Sequence, residues 1–266
     1  MRYELKKLFS FREMWIGGLL LTAYLLFGTM TESSKAQDWP LIFQYITRFG
    51  AFIFPAFLII GLSRLFCYEY NEHTDGLIHA CKRGKKTSFR HKIAVSTLYL
   101  VCAAVFIAVI AFIVYMLPLG IGYNSFAHEE EQYRVFAWSN LGIYAFQVLL
   151  MMAGGLPVAG FILLLSTFIR RGAVVMIISG SLYGALLIYD TFLSERLSGP
   201  VFQAIERVLE YSPVNMINLS TFGYQDIWVF NSAEASRLII PLLVIAVITV
   251  LEFSGTYRVW TRRASK

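Results

Sequence analysis

Charge is scarce in this chain. Asp, Glu, Lys and Arg supply 15% of its 266 residues, hydrophobic residues supply 57%, and the mean hydropathy is +0.61. Soluble domains carry about a quarter charged residues, so this composition excludes them and selects the membrane class. No GxxxxGK[ST] phosphate loop occurs anywhere. If ATP drives this protein, another chain must bind it. Cysteine is nearly absent: Cys67, Cys81 and Cys102 make an odd count, which points to free thiols rather than a disulfide framework. Cys67, His73, His79, Cys81 and His91 are of metal-ligating type, but no paired C-x-x-C or H-x-x-x-H spacing joins them. They read as solvated loop residues rather than a zinc site, and no metal is expected. Internal repeats with interrupted spans, the mark of many secondary carriers, are also missing.

What is present is a series of long apolar runs. About 20 apolar residues cross a hydrocarbon core of roughly 30 Å. Six windows meet that length approximately: Trp15–Met30, Ile46–Phe66, Ile93–Leu119, Leu141–Ile169, Ala173–Leu193 and Leu238–Phe253. The first follows a basic start but has no small-x-small cleavage site before Thr31, so it is expected to be retained. With both termini cytoplasmic, the segments 1–14, 67–92, 170–172 and 254–266 hold sixteen of the 23 Lys and Arg, and the outer segments hold five. The positive-inside rule selects that orientation for a multi-pass membrane protein, and a bacterial plasma membrane is the expected location. Arg48 and Arg64, the remaining two cations, fall near opposite ends of the second window. They are either snorkelling residues or charges lining a pathway.

Between the second and third windows lies FCYEYNEHTDGLIHACKRGKKTSFRHK, Phe66–Lys92, with six cations, three acids and three of the four histidines. Tyr70, Thr74, Leu77 and Ile78 fall near one helical face, and Glu69, Glu72 and Asp75 crowd the other. Gly76 interrupts this rhythm, and Gly84 with Lys82, Arg83, Lys85 and Lys86 ends it. The expected structure is a short helix on the membrane, a turn, and a return helix into the third span. At its plainest the segment is a loop that fixes topology. The start MRYELKKLFSFRE groups Leu5, Leu8 and Phe9 among Arg2, Lys6, Lys7 and Arg12, as an interfacial helix or a plain positive flank would.

The 66–92 segment resembles the first cytoplasmic loop of the type-2 exporter permeases of ATP-binding-cassette (ABC) transporters. That loop runs acid, glycine, hydrophobic pair, basic residues, then Lys entering the third span. The matching positions are Glu69 or Glu72, Gly76, Leu77–Ile78, and Arg83, Arg90 and Lys92. The layout agrees over the whole length, while motif-level matching covers only about this loop and the Ser212-Pro213 region.

The resemblance implies an all-α membrane protein, a single transmembrane domain over 1–266. It would have six spans, an N-terminal elbow helix over 1–14, a coupling helix in the 67–92 loop and a short helix within the 194–237 outer segment. It implies no catalytic residue and no cofactor in this chain. ATP and Mg would sit on a partner ABC ATPase. Glu69, Glu72, Asp75, Gly76, Leu77, Ile78, Arg83 and Arg90 would then couple to that ATPase. The other partners implied are a second permease copy or paralogue and membrane lipid, with no nucleic acid. The second and fifth spans would face the pathway or the dimer axis, which nominates Arg48, Phe49, Phe52, Gly180, Gly184 and Asp190. Gly180-Ser-Leu-Tyr-Gly184 is a GxxxG that serves either packing within the chain or dimerisation.

SGPVFQAIERVLEYSPVN, from Ser198, reads as an amphipathic helix opened by Pro200 and closed by Ser212-Pro213. It is expected on the outer surface, while the resemblance implies that it partly re-enters the membrane. His128–Arg134 contains the EExxxR pattern of prenyl-processing intramembrane proteases, but it falls in a polar loop and no histidine follows it. A protease is therefore set aside. The apolar, aromatic spans favour amphipathic cargo such as peptides, antibiotics or lipids. The alternative is a carrier, channel or structural subunit that uses no ATPase.

Overall fold

The computed structural model describes residues 2–32, 39–72, 74, 81, 84–116, 139–189 and 235–262. Every regular element among them is helical. In order these are α1 (Arg2–Phe9), α2 (Arg12–Glu32), α3 (Trp39–Leu62), α4 (Cys67–Asn71), α5 (Gly84–Met116), α6 (Asn140–Phe168), α7 (Gly172–Ile188) and α8 (Ala235–Arg262). Among the described residues four stretches are long and apolar enough to cross a membrane: Phe52–Asn71, Gly84–Ile113, Asn140–Phe168 and Leu242–Arg262. Trp15–Tyr24 and Gly172–Ile188 are shorter apolar helices. The chain is a multi-pass membrane protein whose regular elements, among the described residues, are all helical.

Local chemistry sets most boundaries. Ser10 stops α1: its amide bonds back to the Lys6 and Lys7 carbonyls and its hydroxyl donates to Lys7 O at 2.7 Å. Ser139 caps α6 by accepting from the Gly142 amide at 3.3 Å. Only Ile169–Arg171 separate α6 from α7, the tight turn expected of Arg170–Gly172. The second window ends differently: α3 stops at Leu62, a turn crosses Ser63–Phe66, and α4 begins at Cys67. The third helix starts at Gly84 rather than Ile93, because Lys85–Lys92 are compatible with a helix and α8 holds its first turn in place. At 33 residues α5 is roughly 50 Å long, well beyond a hydrocarbon core, so its basic end protrudes.

α6 is the central element, packed on α8, α3, α5 and α7. Lipid tails are as apolar as leucine, so close contact rather than water exclusion holds such helices together. Glycine supplies it at two seams. A Cβ at Gly155 would lie 2.5 Å from the Phe54 ring, and one at Gly61 would lie 2.3 Å from Tyr99. Tyr99 uses that space to donate a hydrogen bond to Phe57 O at 2.9 Å.

One end of the bundle collects α1, the α3–α4 turn, the start of α5, the α6–α7 turn and the last turns of α8. Cys67 Sγ lies 3.1 Å from Ile169 O, Arg64 packs on Gly172, and the Trp260 indole donates to Lys85 O at 3.3 Å. These are the segments that the charge count assigns to one side of the membrane.

Candidate functional site

Four charged side chains meet inside that end. Glu4 and Lys7 come from α1, Glu69 from α4 and Lys92 from α5. Glu4, Lys7 and Leu8 on α1 fall three and one residues apart in a stripe that turns inward, and Phe11, just past the helix, is buried on the same side. Leu8 is 1% exposed and Phe11 7%, and Phe11 stacks on Tyr68 with ring centroids 5.7 Å apart. Lys7 is therefore not a free interfacial cation: burial among Tyr68, Glu4 and Glu69 takes it inside, while Lys6 and Arg12 remain exposed.

Glu69 Oε1 is the hub. It accepts from Lys92 Nζ at 2.8 Å and from Lys7 Nζ at 3.2 Å, and the three side chains are 0–3% exposed. Lys92 also donates to Leu65 O, and its ammonium lies 5.0 Å from the Phe66 ring centroid. Lys7 sits 4.2 Å over the Tyr68 ring. Glu4 Oε2 is 3.6 Å from Lys92 and 3.8 Å from Lys7, outside hydrogen-bond range, so its contribution is Coulombic. Two acids face two cations, so each of these buried groups has an opposite charge beside it. Beneath them Phe66 packs against Trp260 at 5.1 Å and Phe89 against Tyr257 at 5.1 Å, linking the network to α8. A cavity of about 460 Å³ opens beside the network, lined by Tyr3, Glu4, Lys7, Glu69, Thr87 and His91 among others.

Of the residues nominated from sequence, Glu69 faces inward with 2% exposure, whereas Glu72 and Arg90 are exposed. Glu69 is thus not on an outward acidic face, because Lys7 and Lys92 hold it inside. Asp75, Gly76, Leu77, Ile78, Arg83 and Asp190 lie outside the described residues, as do His73, His79, the 128–134 pattern and the Ser198 helix. Arg48 and Phe49 belong to α3, with side chains outside the description. Arg64 lies in the Ser63–Phe66 turn beyond α3, 6.0 Å from the Phe11 ring. Phe52 is 51% exposed, its ring 6.3 Å from that of Tyr24. At Gly180 and Gly184 a Cβ would meet nothing within 4 Å among the described residues.

No three His, Cys, Asp or Glu side chains among the described residues are grouped to hold a metal. Cys67 is buried and Cys81 exposed, both as free thiols.

Sequence reasoning missed Glu4, Lys7 and Trp260 as parts of this site and gave Lys92 no partner. The inward stripe on α1 was the available signal. No protein family, no curated protein and no solved structure matches the chain.

Proposed function

We propose that this chain is the membrane permease subunit of an ABC exporter, driven by a separate ATPase that docks under the 66–92 segment. The observation that carries the reading is the buried network at the base of that segment. A docking loop does mechanical work only if its base is stiffly joined to the spans. Glu69 meets that requirement, since it binds Lys92 on α5 and Lys7 on α1 at once. Separating such a pair leaves an uncompensated buried charge, at about 3–5 kcal/mol, so a push on α4 moves α1 and α5 with it.

The cycle follows from that stiffness. ATP and Mg bound by the partner close two ATPase subunits, the closure presses on the 66–92 segment, and the levers α3 and α5 change which side the permease dimer opens toward. Six spans, with α2 and α7 as the first and fifth, complete the arrangement. The elbow is α1 and the inner side is cytoplasmic. No described residue packs within 4 Å of a Cβ placed at Gly180 or Gly184, which favours close approach of a second copy or paralogue along α7.

Single-cysteine crosslinking tests the docking. In a cysteine-free background, Asp75→Cys should trap the ATPase and Arg171→Cys should trap it weakly, because three turn residues cannot protrude far. Equal or stronger trapping at Arg171 would remove the 66–92 segment as the main transmission element.

A further inference from the structure

α8 carries one acid within its membrane-crossing stretch, Glu252. It lies eight residues before Trp260, so roughly 12 Å along the helix from the end where Lys85 and Trp260 meet. The wall it faces gives the same depth. Glu252 packs on Gly160, eight residues before Phe168 at the corresponding end of α6. A Cβ at Gly160 would lie 2.4 Å from Glu252 Oε2, so only glycine leaves room for the carboxyl.

Nothing described satisfies that oxygen. Glu252 Oε2 is sealed and has no hydrogen-bond partner among the described residues, and neither has Thr249 Oγ1, one turn away on the same face. α6 contains no Asp, Glu, Lys, Arg or His. Its nearby hydroxyls are committed: Ser166 donates to Leu163 O and Thr167 to Leu164 O, each at 2.7 Å. Its titratable side chain, Tyr144, donates to Ala108 O on α5. On α8 itself, Thr256 donates to the Glu252 carbonyl at 2.7 Å, while Arg258 and Arg262 lie further along as exposed residues. From α5, the Lys85 ammonium donates to Thr261 O at 3.5 Å, nine residues along α8 from Glu252.

A carboxylate cannot stay charged in such surroundings without a counter-ion, because burying an isolated charge costs several kcal/mol. It must hold a proton or a cation. Access runs from the side: the Glu252 side chain is itself only partly buried, and among the described residues α8 is the least enclosed of the four membrane-crossing stretches. A ligand dissolved in the acyl chains reaches this seam without passing through the water-facing end.

We infer that Glu252, with Thr249 beside it, is a binding site for the positive group of an amphipathic cation, which enters from the membrane and replaces the carboxyl proton. In that exchange the neutral carboxylic acid passes its proton to water as hydronium, and the carboxylate left behind pairs with the incoming cation. This refines the cargo of the proposed exporter from amphipathic molecules to amphipathic cations, and so rests on that reading for its role in transport.

The test needs only the purified full chain in detergent, without an ATPase, so its failure leaves the coupling reading untouched. Dicyclohexylcarbodiimide adds to protonated carboxyls in apolar sites, and peptide mass spectrometry locates the adduct. Tetraphenylphosphonium serves as the probe cation. The expected result is modification at Glu252, slowed at least fivefold by the probe. Probe binding should weaken at least tenfold in Glu252→Gln and in Gly160→Ala, whose new methyl group displaces the carboxyl. An unmodified Glu252 overturns the site. Modification that proceeds equally fast with the probe present overturns the cation ligand and leaves proton binding alone. The wild-type arms do not depend on the variants folding.

Discussion

Lys92→Met tests the network most sharply, because methionine keeps much of the length and apolar stem of lysine and removes the ammonium. The Lys92 side chain is 0% exposed, so solvent neither screens the loss nor replaces the lost donor. Glu69 would keep Lys7 at 3.2 Å, Glu4 would keep it at 3.8 Å, and Leu65 O would lose the donor that Lys92 gives it. Two carboxylates would then share one cation, leaving one buried negative charge uncompensated. Removing one partner of a buried pair costs about 3–5 kcal/mol, and the fully buried geometry places this case in that range. Glu69→Gln should also destabilise, since it leaves two ammoniums with one acid. The double variant Glu69→Gln/Lys92→Met restores balance around Glu4 and Lys7, and should be at least about 1 kcal/mol more stable than the sum of the single losses. Reversible denaturant unfolding in detergent, followed by circular dichroism and tryptophan fluorescence, measures all three. Single losses under about 0.5 kcal/mol, or additive losses in the double variant, would refute the network as a structural coupling.

The remaining expectations concern packing, coupling and topology. Gly61→Ala should cost about 1–3 kcal/mol by driving a methyl into Tyr99, and adding Tyr99→Leu should recover most of it; unchanged stability in Gly61→Ala would contradict the seam. Leu77→Asp/Ile78→Asp should leave the protein inserted but abolish stimulated ATP hydrolysis and transport, and normal stimulation would sink the docking assignment. In a cysteine-free background a membrane-impermeant thiol reagent should label Ser212→Cys from outside and Lys86→Cys only after permeabilisation, and the reverse pattern would invert the map.

The sequence showed more of the scaffold than of the site. Long apolar runs report helices that cross a membrane, and α6 came within a residue at each end because it has no charge to blur it. Charge asymmetry grouped the segments that the structure gathers at one end. Boundaries with amphipathic extensions were misplaced: α5 starts at Gly84 because basic residues form helix as readily as they form loop, and α8 runs to Arg262 because Tyr257 and Trp260 pack on the neighbouring helices. The charge network was hidden for a different reason. Glu69 and Lys92 look solvated in a polar segment, and only the fold reveals that α1 covers them. Glu4 is 65 residues from Glu69 in the chain, a separation that no local periodicity can bridge. Glu252 was visible as an acid near the end of an apolar run, but its packing on Gly160 was not.

The most direct measurement of the central claim is the composition of the complex isolated from native membranes in a mild detergent. Photolabelling with an azido-ATP analogue, combined with subunit quantification, reads both identity and ratio. The account predicts one nucleotide-labelled partner with a GxxxxGK[ST] loop for each copy of this chain, retained in wild type and lost in Leu77→Asp/Ile78→Asp. Recovery of the wild-type chain alone, or with partners that take no label, would contradict it.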